Sequence, residues 1–585
     1  MTVKQTRQAE EERLGKIRHS ASHIMAEAVL AMFPDAKFGI GPAIEDGFYY
    51  DFDLSRSLTN EDLPVIETKM KEIISADKAF VKEDMDKAKA KRLLCDQPYK
   101  QELINEIEDG QVTIYRQGNF VDLCRGPHVT SAGDVKAFKL VNISGAYWRG
   151  SESRPMLQRV YGVAFDTEKE LAEHLKKLEE AVRRDHRKLG RELDLFSIHE
   201  EAGPGLIHWH PKGSVIRRVV EDFWKDEHVL RGYDVIYTPH IAKKELWETS
   251  GHWEFYRDSM YSPMDVEGQE YVIKPMNCLG HILIFQARLR SYRELPLRFA
   301  ELGTVHRYER SGVLHGLSRV RGFTQDDAHI FCRFDQLEDE VARVLELAVY
   351  MTETFGFINY HVLLATRPEK FTGTTELWDK ATDILKKALT RRGIRYDMDP
   401  GEGVFYGPKI DIKLEDALGR KWQGTTIQVD FNLPQRFDVT YVGEDGQEHQ
   451  VAMVHRTILG SMERFLGTLI EHYGGAFPVW LAPSQVIVIP LADRHLDYAY
   501  RLEEELKKDK IRAEVDARSE RVNLKIRQAQ LAKVPYMLVV GDKEISADTV
   551  SVRLRSGEQL TAQSLSSFKE AVKSVIENKS SALEL

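Results

Sequence analysis

Residues 304–329, TVHRYERSGVLHGLSRVRGFTQDDAH, carry more information than any other stretch of this 585-residue chain. Arg307 stands two residues before Glu309, a polar loop follows, and the segment returns in Arg-Gly-Phe-Thr-Gln before running into the β-rich HIFCRF at 329–334. Around this block, from 191 to about 480, helical stretches alternate with β-rich ones such as VIKP at 272–275. That alternation predicts an antiparallel sheet flanked by helices. Two further blocks bracket it: GYDVIYTPHI at 232–241, which carries Pro239, and GSMERFLGTLIEHYGGAFPVWLAP at 460–483, which carries Arg464.

Moving outward, the last hundred residues alternate as QVIVIPL, a charged amphipathic helix over 497–509, IRAEVDA, a helix over 521–532, and YMLVVG. This reads as a separate small α/β domain joined at the linker LAPS, 481–484. Upstream, residues 168–190 predict one long charged connector helix ending at Gly190, and residues 17–33 predict a helix that places His19 and His23 on one face. The chain is too long for one hydrophobic core, and its 42% hydrophobic and 30% charged residues are those of a globular protein. No stretch approaches a membrane span and the N-terminus lacks the apolar core of a signal peptide, so a cytoplasmic protein is expected. Four scattered cysteines make no disulfide framework. A net charge of −10 argues against non-specific coating of nucleic acid but leaves room for a specific partner. Two basic runs stand out: Arg183, Arg184, Arg187, Lys188 and Arg191, then Arg512, Arg518, Arg521, Lys525, Arg527 and Lys533. Each reads either as a solvated helix face or as a patch for phosphates.

An Arg-x-Glu pair alone means little, but three ordered blocks over roughly 250 residues are specific. Block 304–329 resembles motif 2 of class II aminoacyl-tRNA synthetases, block 460–483 motif 3, and block 232–241 motif 1, which lies at a dimer interface in that class. The resemblance implies that Arg307 contacts the α-phosphate and Arg464 the γ-phosphate of ATP. It also implies that Phe323 stacks on adenine, that Glu309 holds its exocyclic amine, and that Arg319 and Gln423 complete the nucleotide site. Activation brings a carboxylate against a phosphate, so fixed guanidinium groups and Mg2+ are the expected tools.

Cys278 in KPMNCLGH, His329 in TQDDAH and His455 in MVHR match the cysteine and two histidines that bind zinc in threonyl-tRNA synthetases. Their sequence spacing does not assign them; the surrounding motifs do. Three protein ligands leave a coordination position open, and threonine can chelate there through its amino group and hydroxyl, which valine cannot. A site that demands a hydroxyl rejects an analogue lacking it by ~10⁴-fold or more, against ~10²-fold for a steric pocket. Asp327 is expected on the hydroxyl, with Met276, Gln325, Tyr406 and Gln428 completing the threonine pocket by resemblance. Serine keeps the hydroxyl and loses one methyl, worth ~1–3 kcal/mol, so editing is expected.

His19-x3-His23 and Cys124-x3-His128, the latter in DLCRGPH, supply it. Their spacing suits a second zinc site. The surrounding RHSASHIMAEAVL, FGIGPAIEDGFYYDFD and VDLCRGPH resemble the editing domain of bacterial threonyl-tRNA synthetases, in which such a cluster hydrolyses Ser-tRNA with water. Both readings stand, with Asp122 and Tyr50 as accessory residues. The C-terminal domain resembles the anticodon-binding domain of class II enzymes, with Glu544 and Arg553 at positions that touch anticodon bases; Ser519 departs from the asparagine expected there. His252, in TSGHWEFY, is the candidate to assist transfer to the tRNA ribose.

The resemblance spans about residues 15–580 and implies an α+β multidomain homodimer. Its parts are an editing domain (1–167), a linker helix (168–190), a class II catalytic domain with an antiparallel sheet (191–480) and an anticodon-binding domain (481–585). One Zn2+ per subunit, Mg2+ with ATP, L-threonine and tRNA(Thr) are the expected cofactors and partners. Many relatives carry a small ubiquitin-like TGS domain ahead of the editing domain; only 18 residues precede His19, so that module is not expected. The rivals are a synthetase for proline, histidine or glycine, a non-enzymatic RNA-binding paralogue, and a free-standing deacylase.

Overall fold

The computed structural model describes residues 3–108 and 110–583. The chain divides into two compact units, with the boundary at Glu179/Glu180 inside the helix Glu168–Arg184.

In the first unit, strands Gly47–Asp53, Met156–Phe165 and Ala137–Tyr147 form an antiparallel sheet, with two short strands beside the first. Helix Val3–Met32 is buried from Ala21 to Val29, because it packs into the core of this unit through Ile24, Met25, Ala28 and Val29. Burial on nearly every side also encloses His23, which an amphipathic helix would have left at its margin. A second antiparallel sheet, Phe80–Asp86, Gln111–Gln117 and Phe120–Leu123, delivers the turn that carries Cys124 and His128.

The connector differs from the sequence expectation. It is two helices, Glu168–Arg184 and His186–Glu192. Asp185 leaves helical geometry (φ −49°, ψ 123°), and its carboxylate accepts a hydrogen bond from the Arg187 N–H at 2.8 Å, which caps the second helix. Gly190 does not end the helix; it lies under Phe196, where a β-carbon would come within 2.3 Å of the ring. The break lets His186 turn inward: its Nδ1 lies 2.6 Å from Glu471 Oε1, and its Nε2 accepts the Leu317 N–H at 2.9 Å.

The second unit is built on eight strands in the order Asp234–Val235, Leu297–His306, Gly322–Cys332, Ala452–Thr457, Lys421–Asp430, Lys409–Glu415, Tyr360–Ala365 and Asp397–Asp399. The inner pairings are antiparallel, and the first and last strands add in parallel at the edges. VIKP at 272–275 does not join this sheet: Gln269–Ile273 belongs to a small three-stranded sheet with Ile241–Lys243 and Met264–Val266. Helices Pro211–Leu230, Leu337–Thr354, Thr375–Arg391 and Met462–Tyr473 bury Trp224, Leu345, Leu385 and Leu469 with the sheet.

Beyond Pro483, strands Ala513–Val515, Val486–Pro490 and Tyr536–Val540 pair in parallel, as the βαβαβ alternation predicts, and Thr549–Leu554 adds antiparallel as a further strand. The LAPS segment is not a loose tether. Leu481 and Ala482 are buried, and Arg512 donates to the carbonyls of Trp480 (2.7 Å) and Ala482 (2.9 Å). Arg555 donates to the Phe477 carbonyl at 2.6 Å. No helix among the described residues is long and apolar enough to cross a membrane.

Candidate active sites

Strand Gly322–Cys332 assembles the first site by its pleat. Alternate side chains share a face, so Phe323, Gln325, Asp327 and His329 project together while Asp326, Ala328 and Ile330 belong to the opposite, buried row. His455 lies opposite His329 on the next strand, and Gln428 opposite His455 on the one after. These residues, with Met276, Cys278, Tyr406, Arg307, Gln423 and Arg464, line one cavity of about 270 Å³. A second cavity of about 390 Å³ shares Arg307, Phe323, Gln423 and Arg464 and adds Glu309 and Arg319.

At one end of the cavity, polar groups are held at fixed positions. Asp327 Oδ2 accepts from Asn277 Nδ2 at 3.1 Å, and the Tyr406 hydroxyl donates to Gln428 Oε1 at 2.6 Å. Gln325 Oε1 is buried with no protein partner among the described residues. Burial raises the Asp327 carboxyl above its ordinary range, against the pull of His281 and Asn277.

Cys278, His329 and His455 supply one thiol and two imidazoles. The two rings stand 4.7 Å apart, centroid to centroid. Each commits one nitrogen to a protein partner: His329 Nδ1 lies 2.9 Å from His281 Nδ1, and His455 Nε2 lies 2.8 Å from Asp430 Oδ2. The other nitrogen of each ring is left over. Burial holds His329 well below its ordinary pKa, which favours the neutral imidazole, and pushes the Cys278 thiol strongly up. A thiol and two imidazoles, each ring steadied by a protein partner, are the donor types that suit Zn2+; among the described residues the donor atoms that already lie within 4.8 Å of one another are those of His19, His23, Cys124 and His128 and of Asp185, His186 and Glu471.

At the other end, three guanidinium groups crowd together. Arg464 is lowered by burial and by its neighbours Arg307 and Arg319, with Glu309 the opposing charge. Its Nε is buried without a partner among the described residues. Arg307 donates to the Pro275 carbonyl at 3.3 Å, with its guanidinium 5.3 Å from the Phe323 ring centre. Arg319 donates to Glu309 Oε2 at 3.0 Å. Arg464 occupies the first turn of helix Met462–Tyr473, whose cap, Ser461 Oγ, accepts the Arg464 N–H at 3.3 Å. Glu463 clamps this helix to the strand by accepting the Thr324 N–H at 2.9 Å and Arg217 Nη1 at 3.0 Å.

His252 stands apart from the cavity lining. It is 1% exposed, its Nδ1 is 2.8 Å from Ser250 Oγ, and burial lowers its pKa to about 4. Sequence reasoning missed Asn277, His281, Asp430 and Glu463. The first two were within reach, since they flank Cys278 inside KPMNCLGH; Asp430 and Glu463 act through tertiary contacts that no local pattern announces.

In the first unit, His19, His23, Cys124 and His128 come together, each offering a ligand atom within 4.8 Å of the others. Cys124 Sγ is 3.3 Å from both His19 Nε2 and His128 Nε2. His19 Nδ1 faces the Pro127 carbonyl at 3.2 Å, and His128 Nδ1 faces Ser20 Oγ at 3.1 Å. Ser20 Oγ donates its own proton to the Lys16 carbonyl, so it accepts from His128. His23 Nδ1 is buried without a partner among the described residues. Burial lowers all three imidazole pKa values and raises the Cys124 thiol to about 12. At neutral pH the cluster is three neutral imidazoles and a protonated thiol. Asp122 lies 3.7 Å from His23 Nε2, and is held by Lys100 Nζ (2.6 Å) and the Tyr50 hydroxyl (2.5 Å).

In the C-terminal region, Glu544 accepts from Ser551 Oγ (2.8 Å) and the Gly541 N–H (2.9 Å), and the Nε of Arg553 is buried without a partner among the described residues. The basic runs are less available than the sequence suggested. Arg184 donates to Glu180 and to the His472 carbonyl, and Arg187 pairs with Asp185. Arg512 caps the linker carbonyls, Lys525 is buried on the Asp516 carbonyl and Arg518 pairs with Asp516. Fold-internal acceptors claim these cations, leaving Lys188, Arg191, Arg521 and Arg527 as the exposed members without an ion pair among the described residues.

Comparison with known proteins defines the class first. Residues 261–473 match the family "tRNA synthetase class II core domain (G, H, P, S and T)", and 485–575 match "Anticodon binding domain". Residues 112–161 match "Threonyl and Alanyl tRNA synthetase second additional domain". The chain is 64% identical over 567 residues to the threonine–tRNA ligase of Dehalococcoides mccartyi, covering 97% of both chains. It is 55% identical to that of Magnetococcus marinus, covering 93% of this chain and 84% of the relative. A solved structure titled as the RNA binding domain of threonyl-tRNA synthetase from Cryptosporidium parvum superimposes with a TM-score of 0.65 at 40% identity, covering 67% of this chain and 98% of that one. The chain belongs to the threonine–tRNA ligase family.

Proposed function

We propose that this chain activates L-threonine with ATP, transfers it to the 3′ end of tRNA(Thr) and hydrolyses Ser-tRNA(Thr) at the His19/His23/Cys124/His128 cluster. The observation that supports it best is the convergence on one cavity of Arg307 and Arg464 at one end and Cys278, His329, His455 and Asp327 at the other. The division of labour follows 1–167 for editing, 168–190 as connector, 191–480 for catalysis and 481–585 for the anticodon.

In activation, Arg307 and Arg464 hold the polyphosphate of Mg2+-ATP so that a threonine carboxylate oxygen attacks the α-phosphorus in line while the bond to pyrophosphate breaks. Phe323 carries the adenine, with Arg319, Glu309 and Gln423 around it. Cys278, His329 and His455 would hold Zn2+, which when bound supplies a Lewis-acid position that an amino alcohol can chelate and valine cannot. The Asp327 carboxylate accepts from the threonine hydroxyl, and Tyr406, Gln428, Gln325 and Met276 close the pocket. In transfer, His252 gives its Nδ1–H to Ser250 and keeps Nε2 free to take a proton from the ribose.

Editing proceeds by water, because Cys124 is held as a thiol and not a thiolate. Neutral His19, His23 and His128 accept the proton of the attacking water and return it to the departing ribose oxygen as the ester bond breaks. A second reading, a metal held by the same four residues, is favoured by their convergence within 4.8 Å. Glu544 and Arg553 read anticodon bases. A second copy of the chain covers the segment around Pro239, where Leu230 and Tyr237 are 78% and 76% exposed.

ATP–pyrophosphate exchange with threonine, serine, valine and proline tests the whole. Strong exchange with threonine, weaker with serine and almost none with valine is expected. Exchange with proline, or with none of the four, sinks the assignment.

A further inference from the structure

Cys278 and His281 leave the same helix, Cys278–Gln286, three residues apart and on one face. His281 is completely buried and bridges two groups: its Nε2 lies 3.2 Å from Glu301 Oε2, and its Nδ1 lies 2.9 Å from His329 Nδ1. Glu301 is itself buried and fixed, accepting the Thr238 N–H at 2.8 Å and the Thr238 hydroxyl at 2.9 Å, with Lys274 Nζ 3.5 Å away. An ionised carboxylate only accepts, so His281 donates to Glu301 from Nε2, and its Nδ1 is the atom that faces His329. The 2.9 Å contact between two Nδ1 atoms needs one proton, which falls to His329 when His281 keeps its own on Nε2. His329 is left with a bare Nε2, which lies 3.8 Å from Asp327 Oδ1 among the residues lining the cavity.

We propose that His281, anchored by Glu301, is a positioning residue for the metal: it holds His329 as the Nδ1–H tautomer and presents the Nε2 lone pair to the cavity. The opposite tautomer would present an N–H, which repels a cation. The inference rests on the zinc reading above. It adds that the affinity of the site is set partly from the segment around Thr238, through Thr238, Glu301, His281 and His329 in series, each contact hydrogen-bonded.

The test compares the full-length parent with H281L, which removes both bridges, and with H281N, whose side-chain oxygen can occupy the place of Nδ1 and accept from His329. Zinc per chain is measured by atomic emission, zinc affinity by chelator competition, and ligand geometry from the visible spectrum of the Co2+-loaded protein. H281L is expected to bind zinc ~10–100-fold more weakly with an altered cobalt spectrum, and at saturating zinc to raise KM for threonine while leaving KM for ATP in place. H281N is expected to stay within a few-fold of the parent. Parent-like affinity in H281L, or equal losses in both variants, overturns the inference and leaves the zinc reading intact. A parent that binds no zinc overturns both. If H281L does not fold, a loss of tenfold or more in H281N overturns the inference by itself, and parent-like zinc affinity in H281N supports it.

Discussion

Replacing Arg464 with glutamine should make the free protein more stable and the enzyme far worse. Three costs converge on this side chain. It stands in the first turn of helix Met462–Tyr473, where the helix dipole disfavours a cation by about 0.3–1 kcal/mol. Its Nε is buried without an acceptor among the described residues, a deficit of about 1–3 kcal/mol for a fully enclosed donor. Arg307 and Arg319 add like charge, partly offset by Glu309. The side chain is only half-buried, so solvent screens much of this, and a gain of about 1 kcal/mol in the free protein is the sensible expectation. The phosphate chain of ATP reverses every sign, because an anion suits the helix N-terminus, accepts the unpaired N–H and neutralises the cluster. Charge-assisted hydrogen bonds are worth about 1.5–3 kcal/mol, so R464Q should weaken ATP binding by ~10–100-fold at about 1.4 kcal/mol per decade. Thermal unfolding with and without Mg2+-ATP, paired with pyrophosphate exchange, measures both halves. An R464Q protein that melts below the parent yet keeps the ATP-induced stabilisation would refute the reasoning, since Arg464 would then be a structural cation.

Metal analysis of the parent should find one zinc per chain, lost in Cys278→Ala and kept in Cys124→Ala; two per chain, one of them lost in Cys124→Ala, would give the N-terminal cluster to a metal. The same cluster should make its unit acid-sensitive. The native state refuses protons that the unfolded chain binds below pH 6.5, so stability is present above that value and falls as pH drops, by about 1.4 kcal/mol per unit for each fully enclosed ring. Hydrogen exchange of the helix over residues 17–29 at pH 7.0 and 5.5 should show the loss, and H128F should lessen it by the share of one ring; a pH-independent parent excludes the neutral-imidazole description. Arg512→Met removes the side chain that caps the Trp480 and Ala482 carbonyls, at a cost of about 2 kcal/mol. Calorimetry should then resolve an early transition for residues beyond 483, and an unchanged single profile would mean the linker needs no such anchor.

What was legible in the sequence was whatever repeats with the period of its element. The row Phe323, Gln325, Asp327, His329 is spaced by two and therefore shares one face as soon as the segment is a strand. His19 and His23 are spaced by four and share a face of a helix. The pairing of His329 with His455 across more than a hundred residues came from resemblance alone, since register between strands is decided by packing and turns and not by local composition. The connector failed for a related reason. Charged residues at helical spacing run through 168–190 without a proline, yet a buried acceptor for His186 and a capping role for Asp185 outweigh helix propensity there. The small sheet holding Gln269–Ile273 failed because β-propensity names a strand and never its neighbours.

The basic residues show why counting charge misleads while tracing its partners does not. Arg184, Arg187, Arg512, Arg518 and Lys525 all looked available for RNA, and each has its charge answered inside the fold by a carboxylate or by carbonyl oxygens. Arg464 and Arg553 carry buried Nε donors that no protein group accepts, and both stand where the resemblance expects nucleotide or anticodon. A buried donor left unpaired is costly in the free protein, and a bound phosphate or base would remove that cost at Arg464 and Arg553. The same logic separates Gln325, which lines the cavity and has a buried oxygen without a partner among the described residues, from Gln428, already held by Tyr406. Unanswered polarity that borders the cavity is where substrates would complete the structure, whereas Gln117 and Trp247 carry it inside the core.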